Sequence, residues 1–307
     1  MATGADDQAG RFASQIDTPG FLAWVLGLPT GEVPFGGWLN TRNIPFPGDP
    51  DRTGDTVARF DDPTASGPPW AVAVEFQSRP DPDMFGRLLV YLGGLWLGLR
   101  PDPERGSRFR VGALVVNLTG TGAASRRMVW EPVGLVTEVR VVERNLEVER
   151  AEDVPAAVGA GRLSRAVLPW VPLMAGADRA EVIDEWKRLA EAEPDLRHRS
   201  DFGGLARLFA ERAGRKLIWD AKLEGWSVEE STTVNAWIAQ GEARGEERGS
   251  TEEARRLVLR LGAKRFSAPA PAATEAAIRA VTDRDRLERL AERVLDAGTW
   301  DELLATP

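Results

Sequence analysis

Two carboxylates and an amide hold the best prospects for chemistry in this chain: Asp55, Glu75 and Gln77. Glu75 and Gln77 close the segment Trp70–Gln77, where Trp70, Val72, Val74 and Phe76 alternate with Ala71, Ala73, Glu75 and Gln77. That is a period of two, so a strand is expected with one bulky apolar face, and two alanines leading to a polar pair on the other. Small residues beside a polar pair leave room for something to approach. Asp55–Phe60 reads as a second short strand, joined to the first by the turn-rich DDPTASGPP. If the two pair antiparallel and the loop closes evenly, opposite residue numbers sum to 130 and Asp55 faces Glu75. Two like charges directly opposed are destabilising. A divalent cation between them would relieve the cost, since hard cations take oxygen ligands. Such an ion activates water and stabilises charge on a scissile phosphate. The plainer alternatives are a solvated strand face, or a carboxylate paired with Arg59 or Arg87.

Composition narrows the remaining chemistry. The 307 residues include no cysteine and one histidine, His198. Disulfides, thiolate metal sites and Cys nucleophiles are excluded, and a Ser-His-Asp triad or a His-rich zinc site nearly so. The lack of cysteine fits a cytoplasmic setting. No run of about 18 apolar residues or signal-peptide pattern is present, so a soluble protein without a membrane partner is expected. The net charge of −8 argues against a broad nucleic-acid coat but allows a local basic groove. Arg105, Arg108 and Arg110, with Arg126 and Arg127, could form a strip that meets phosphates, or a solvated edge.

The elements that must position these residues follow in order. Residues 1–10 are expected to be disordered. Phe12–Leu28 looks helical at both ends and broken at Pro19-Gly20, with Asp17 or Thr18 as a cap. A strand is expected around Trp38–Ile44, then the Asp55 and Trp70 strands. A Pro-Asp turn leads into a helix over 82–99, where Met84, Leu88, Tyr91, Leu92, Leu95 and Leu99 recur at helical spacing. Arg108–Leu118 and Leu135–Val142 read as further strands. Beyond residue 150 the chain turns helical, with a proline-interrupted connector at Leu163–Met174 and helices at Arg179–Ala192, Phe202–Ala213 and Val228–Gln240. Gly241–Gly249 reads as a hinge. Ser250 with Glu253, Thr282, and Thr299 with Glu302 mark helix starts in the tail. The expectation is an α/β fold: a mixed sheet core flanked by helices at 11–150, a helical extension at 151–240, and a C-terminal helical domain at 250–305.

Asp55, Glu75 and Gln77, with Ser78, the turn Pro80–Asp83, and Arg87 and Tyr91 on the next helix, resemble the Rpn-type recombination-promoting nucleases. These form the putative-transposase branch of the PD-(D/E)XK superfamily. Leu114–Leu118 and Leu168–Met174 fit the same family, and Glu252–Leu304 resembles the DUF4351 domain often fused to such nucleases. The resemblance implies a restriction-endonuclease-like α/β core acting as a metal-dependent DNA endonuclease. Asp55 and Glu75 would bind Mg²⁺ or Mn²⁺, and Gln77 would stand where the superfamily carries lysine and position the attacking water. A neutral amide can only hydrogen-bond, so Arg79 or Arg87 would supply positive charge, toward phosphate or in support of the acids. Asp17 is a possible additional acid. The partner would be DNA, with a homo-oligomer possible through the helical C-terminal region. The rival is a catalytically inactive nuclease-fold interaction module, and a third reading is a carboxylate-pair hydrolase acting on sugars.

Overall fold

A computed structural model describes residues 5–41, 56–61, 67–102, 107–226, 251, 254–281 and 283–306. The chain divides into two compact units, Met1–Asn235 and Ala236–Pro307. Among the described residues no helix is long and apolar enough to cross a membrane.

The first unit is α/β. Its main sheet joins β1 (Phe35–Leu39), β2 (Val57–Phe60), β3 (Trp70–Gln77), β4 (Arg110–Asn117) and β7 (Val142–Asn145) in that order. β1 and β2, and β2 and β3, run antiparallel, while β3–β4 and β4–β7 run parallel. A parallel pair needs a crossover, and helix α3 (Met84–Gly98) supplies the one between β3 and β4. β3 therefore lies at the centre, buried along nearly its whole length, as a strand covered on both faces must be.

The two faces of β3 are covered differently. Ala71 and Ala73 lie beneath Met84, Leu88, Tyr91 and Leu95 of α3, together with Ala113 and Val115 of β4. The alanines thus seat a helix. The bulky face meets α1 (Ala5–Ile16), and its Phe76 meets Phe21 of α2 (Thr18–Leu26) and Trp170 of the 3-10 segment Arg165–Leu173, against which α6 (Leu196–Arg212) packs in turn. Trp170 of that segment stacks on Phe76 at 5.6 Å and on Phe21 at 5.4 Å between ring centres. The helical stretch after residue 150 includes α4 (Asp153–Gly159), α5 (Ala180–Glu191) and α7 (Lys216–Lys222), and it belongs to the same compact unit as the sheet. Trp170, Trp186 and Trp219 are fully buried within it.

Several local expectations change. The N-terminus is helical from Ala5, because Ala9 is buried and Gly10 lies so close to Phe76 that an added Cβ would stand 2.9 Å from the ring. Pro19 falls in the first turn of α2, where its missing N–H costs nothing, so it starts that helix rather than breaking one. Leu135–Val142 is two elements: β6 (Leu135–Val139) pairs with β5 (Arg126–Trp130) in a separate hairpin, and β7 starts at Val142. α6 begins at Leu196, ahead of the expected Phe202, because the Asp195 side chain accepts hydrogen bonds from the amides of Arg197 (2.8 Å) and His198 (3.2 Å). The Val228–Gln240 helix, the Gly241–Gly249 hinge, Ser250, Glu253 and Thr282 lie outside the described residues.

The second unit is helical: a run over 254–265 (α8), then α9 (Ala272–Ala280), α10 (Arg284–Arg293) and α11 (Trp300–Leu304). Val258, Ile278, Leu287, Leu290, Trp300 and Leu303 form its core. The expected Thr299 cap is present, its hydroxyl accepting from the Glu302 amide at 3.1 Å.

Candidate functional site

The expected register is observed. Val57 pairs with Ala73 and Phe60 with Trp70, so opposite numbers sum to 130. The Val74 amide donates to the Thr56 carbonyl at 2.8 Å, which carries the pairing to the last described residue of this strand. Asp55, the next residue, lies outside the described residues.

Glu75 is 3% exposed and Gln77 8%. That removes the solvated-face reading of Glu75. The strand end carrying them is pinned from two sides: the Ser78 carbonyl accepts from the Thr119 hydroxyl at 2.6 Å and from Arg212 of α6 at 2.9 Å. The Pro80–Asp83 turn then sets an arginine over the acid. Asp81 accepts from the Asp83 amide through Oδ1 at 2.8 Å and from Arg87 Nη1 through Oδ2 at 2.7 Å. The other arm of Arg87 reaches Glu75 Oε2 at 3.8 Å, near the outer limit of an ion pair. Arg79 is exposed on the same turn.

Tyr91, one helical turn beyond Arg87, is also buried. Burial lifts its phenol well above the usual value, the Glu75 carboxylate adds to the lift, and Arg11 of α1 opposes it. The folded protein therefore holds Tyr91 protonated at pH values where an unfolded chain ionises it, above about pH 10. Above that pH the unfolded state binds fewer protons, so stability falls as pH rises. Tyr91 is the only tyrosine. Phenolate absorbance should stay absent on raising the pH and appear only together with unfolding; a smooth titration in the folded protein near the free value would contradict this placement.

A row of amides continues the site across the parallel strands. Gln77 is opposite Asn117, and Asn117 opposite Asn145. Asn117 Nδ2 donates to Asn145 Oδ1 at 2.7 Å and to Glu143 Oε1 at 2.8 Å. Glu75 shares its level with Val115 and Glu143, so the two acids stand two strands, about 10 Å, apart. Glu143 and Asn145 also accept from the amides of Ala124 and Gly122, and Glu147 accepts from Gly120. The Gly120 and Gly122 amides thus face carboxylate and amide oxygens, and Gly120 adopts a left-handed turn at φ 72°. These contacts make the segment a turn.

No family model, curated protein or solved structure matches the chain. The candidate site therefore rests on its own geometry.

The other expected residues are placed elsewhere. Asp17 caps α2, its Oδ1 accepting from the Gly20 amide at 3.1 Å. Asp17→Ala should lower stability by about 1 kcal/mol in a urea titration. Lost activity in a variant as stable as the parent would return Asp17 to the chemistry. The basic strip is largely engaged in structure. Arg108 lies 4.6 Å over the Trp96 ring and donates to the carbonyls of Trp96 and Leu97 at the end of α3. Arg110 lies over Trp70 and donates to the Pro68 carbonyl, Arg126 covers Phe85, and Arg127 pairs with Glu138. Arg105 is outside the described residues. Sequence reasoning missed Asp81 as the group that orients Arg87, and it missed the Asn117–Asn145 row. The signal for Asp81 was present in the Pro-Asp turn.

Proposed function

We propose that this protein is a metal-dependent DNA endonuclease with a PD-(D/E)XK-like core, of the Rpn type, acting in the cytoplasm. The observation that supports it most is the β2–β3 register, followed to Thr56 opposite Val74. One residue further in the same register, Asp55 would face Glu75.

The donor set suits a hard cation. Carboxylate oxygens, here those of Asp55 and Glu75, are the ligands that Mg²⁺ and Mn²⁺ take. Among the described residues alone no group of three acids or histidines gathers, and Asp55 lies outside them. Such an ion would supply Lewis-acid stabilisation of phosphate charge and a more acidic water. The chain's own residues do the positioning. Gln77 offers both a donor and an acceptor to hold a water in line. Arg87, fixed by Asp81, brings a guanidinium toward the carboxylate and, at 31% side-chain exposure, keeps a face open toward substrate. In place of a lysine ammonium, this arrangement sets the positive charge beside the acid and leaves the amide at the strand end.

Supercoiled plasmid is the test. Purified protein should nick it with Mg²⁺ or Mn²⁺ and not with chelator present, and Asp55→Ala or Glu75→Ala should abolish cutting. If preparations free of contaminating nuclease cut nothing with any divalent ion, the non-catalytic interaction module is the better reading. Two features favour that rival: the neutral Gln77, and an arginine already directed at Glu75.

A further inference from the structure

The outer surface of α3 is built unlike that of the other helices. From Met84 to Gly98 its one charged residue is Arg87. Met84, Leu88, Tyr91 and Leu95 face the sheet, yet the opposite side is apolar too: Leu89, Val90, Trp96 and Leu97 are 40–64% exposed. A helix that is hydrophobic all round belongs in an interior. Between those side chains lie Gly86 and Gly93, and a Cβ added at either would meet nothing within 4 Å. Among the described residues nothing fills those notches.

We infer that this face is a homodimer interface in which α3 packs antiparallel against α3 of a second copy. The pattern is self-complementary. With a two-fold axis between Val90 and Gly93, facing residue numbers sum to 183. Leu97 then sits over the partner copy's Gly86 notch, and Val90 over its Gly93 notch. Each knob meets a gap, as the isologous contact of a two-fold dimer requires. Glycines also let two helix axes approach closely. A partner of unrelated sequence has no reason to match that spacing, whereas a second copy matches it by symmetry.

The neighbouring hairpin enlarges the surface. Val139 of β6 packs in the α3 core and Arg126 of β5 covers Phe85. Further along the same face of the hairpin, Met128, Trp130 and Leu135 are 44–60% exposed. Since a whole tryptophan offers up to about 250 Å², these three and the four on α3 present on the order of 700 Å². One side of a standard interface is about 800 Å². This places self-association on the α/β unit, where sequence reasoning had looked to the helical C-terminal region.

Sedimentation of the full chain at micromolar concentration should give twice the 33.5 kDa chain mass. Leu97→Glu should weaken dimerisation by roughly 30-fold or more, the scale of a hot-spot residue. Gly93→Leu should weaken it while raising the melting temperature of the monomer, because leucine favours the helix and nothing among the described residues obstructs it. The chain has no cysteine, so cross-linking starts without background. Mixed Gly86→Cys and Leu97→Cys proteins should form an intermolecular disulfide on oxidation, whereas neither alone should, the two positions lying about 16 Å apart along the helix. A wild-type monomer, or a dimer unchanged by both Leu97→Glu and Gly93→Leu in folded variants, overturns the proposal.

Discussion

Exchanging Glu75 for glutamine should abolish metal-dependent nicking and leave the melting temperature at or above that of the parent. The two readings of this residue differ in sign on stability. If Glu75 were a structural ion-pair partner, removing its charge would strand a buried cation, at a cost of about 3–5 kcal/mol. Here the burial is one-sided. The Glu75 side chain is 4% exposed and Arg87 31%, and Arg87 keeps Asp81 at 2.7 Å whatever happens at position 75. The glutamine variant loses a desolvated carboxylate, keeps its shape, and leaves the guanidinium partnered and wet. A melting temperature held while nicking is lost would mark Glu75 as a charge kept for chemistry. On the rate side, Lewis-acid stabilisation is worth several kcal/mol, and about 1.4 kcal/mol is a factor of ten, so a fall of ~10²–10⁴ is expected. Full nicking by a glutamine variant that melts well below the parent would make Glu75 structural and remove it from the site.

How much of this was legible depends on whether the signal was local. β3 could be read to the residue, because its period of two runs unbroken between two turn segments. The β2–β3 register followed from the same alternation and an even loop closure. Ala71 and Ala73 were read as space for a ligand when they seat α3, since small residues on a strand look alike whether a helix or a substrate covers them. β5 escaped notice because Arg126-Arg127-Met128-Val129-Trp130 is exposed along nearly its whole length and shows no alternation. α9 lies in an alanine-rich stretch after Pro271, which gives no apolar stripe. The N-terminal helix is ordered by tertiary contact at Ala9 and Gly10 and not by propensity. The Gln77–Asn117–Asn145 row depends on three parallel strands coming into register over nearly seventy residues, which no periodic pattern carries. Asp81 acts on Arg87 across a turn, a relation that neither helical nor strand spacing describes.

Truncating Trp170 to alanine is the substitution expected to cost the fold most, and it reaches the site from the far side of the sheet. Trp170 is fully buried at the meeting point of Phe21, Trp24, Phe76 and Phe209, with ring centres 5.2–5.9 Å away. It joins the helical stretch after residue 150 to α2 and to β3 in one contact. Removing such a ring costs about 3–5 kcal/mol, a large share of the roughly 5–15 kcal/mol that holds a domain together. The melting temperature should fall by roughly 6–20 °C. The indole N–H is buried without an acceptor among the described residues, and an unmade hydrogen bond of that kind costs about 1–3 kcal/mol. Trp170→Phe gives up ring area but also removes the orphaned donor, so it should cost far less than alanine. Phe76 stands between Glu75 and Gln77 on the strand and holds them by resting on Trp170. The alanine variant should therefore lose nicking below its melting temperature, as the strand end loosens, while the phenylalanine variant keeps it. Equal losses of stability from alanine and phenylalanine would show that the indole itself, and not the filled stack, is what the fold requires.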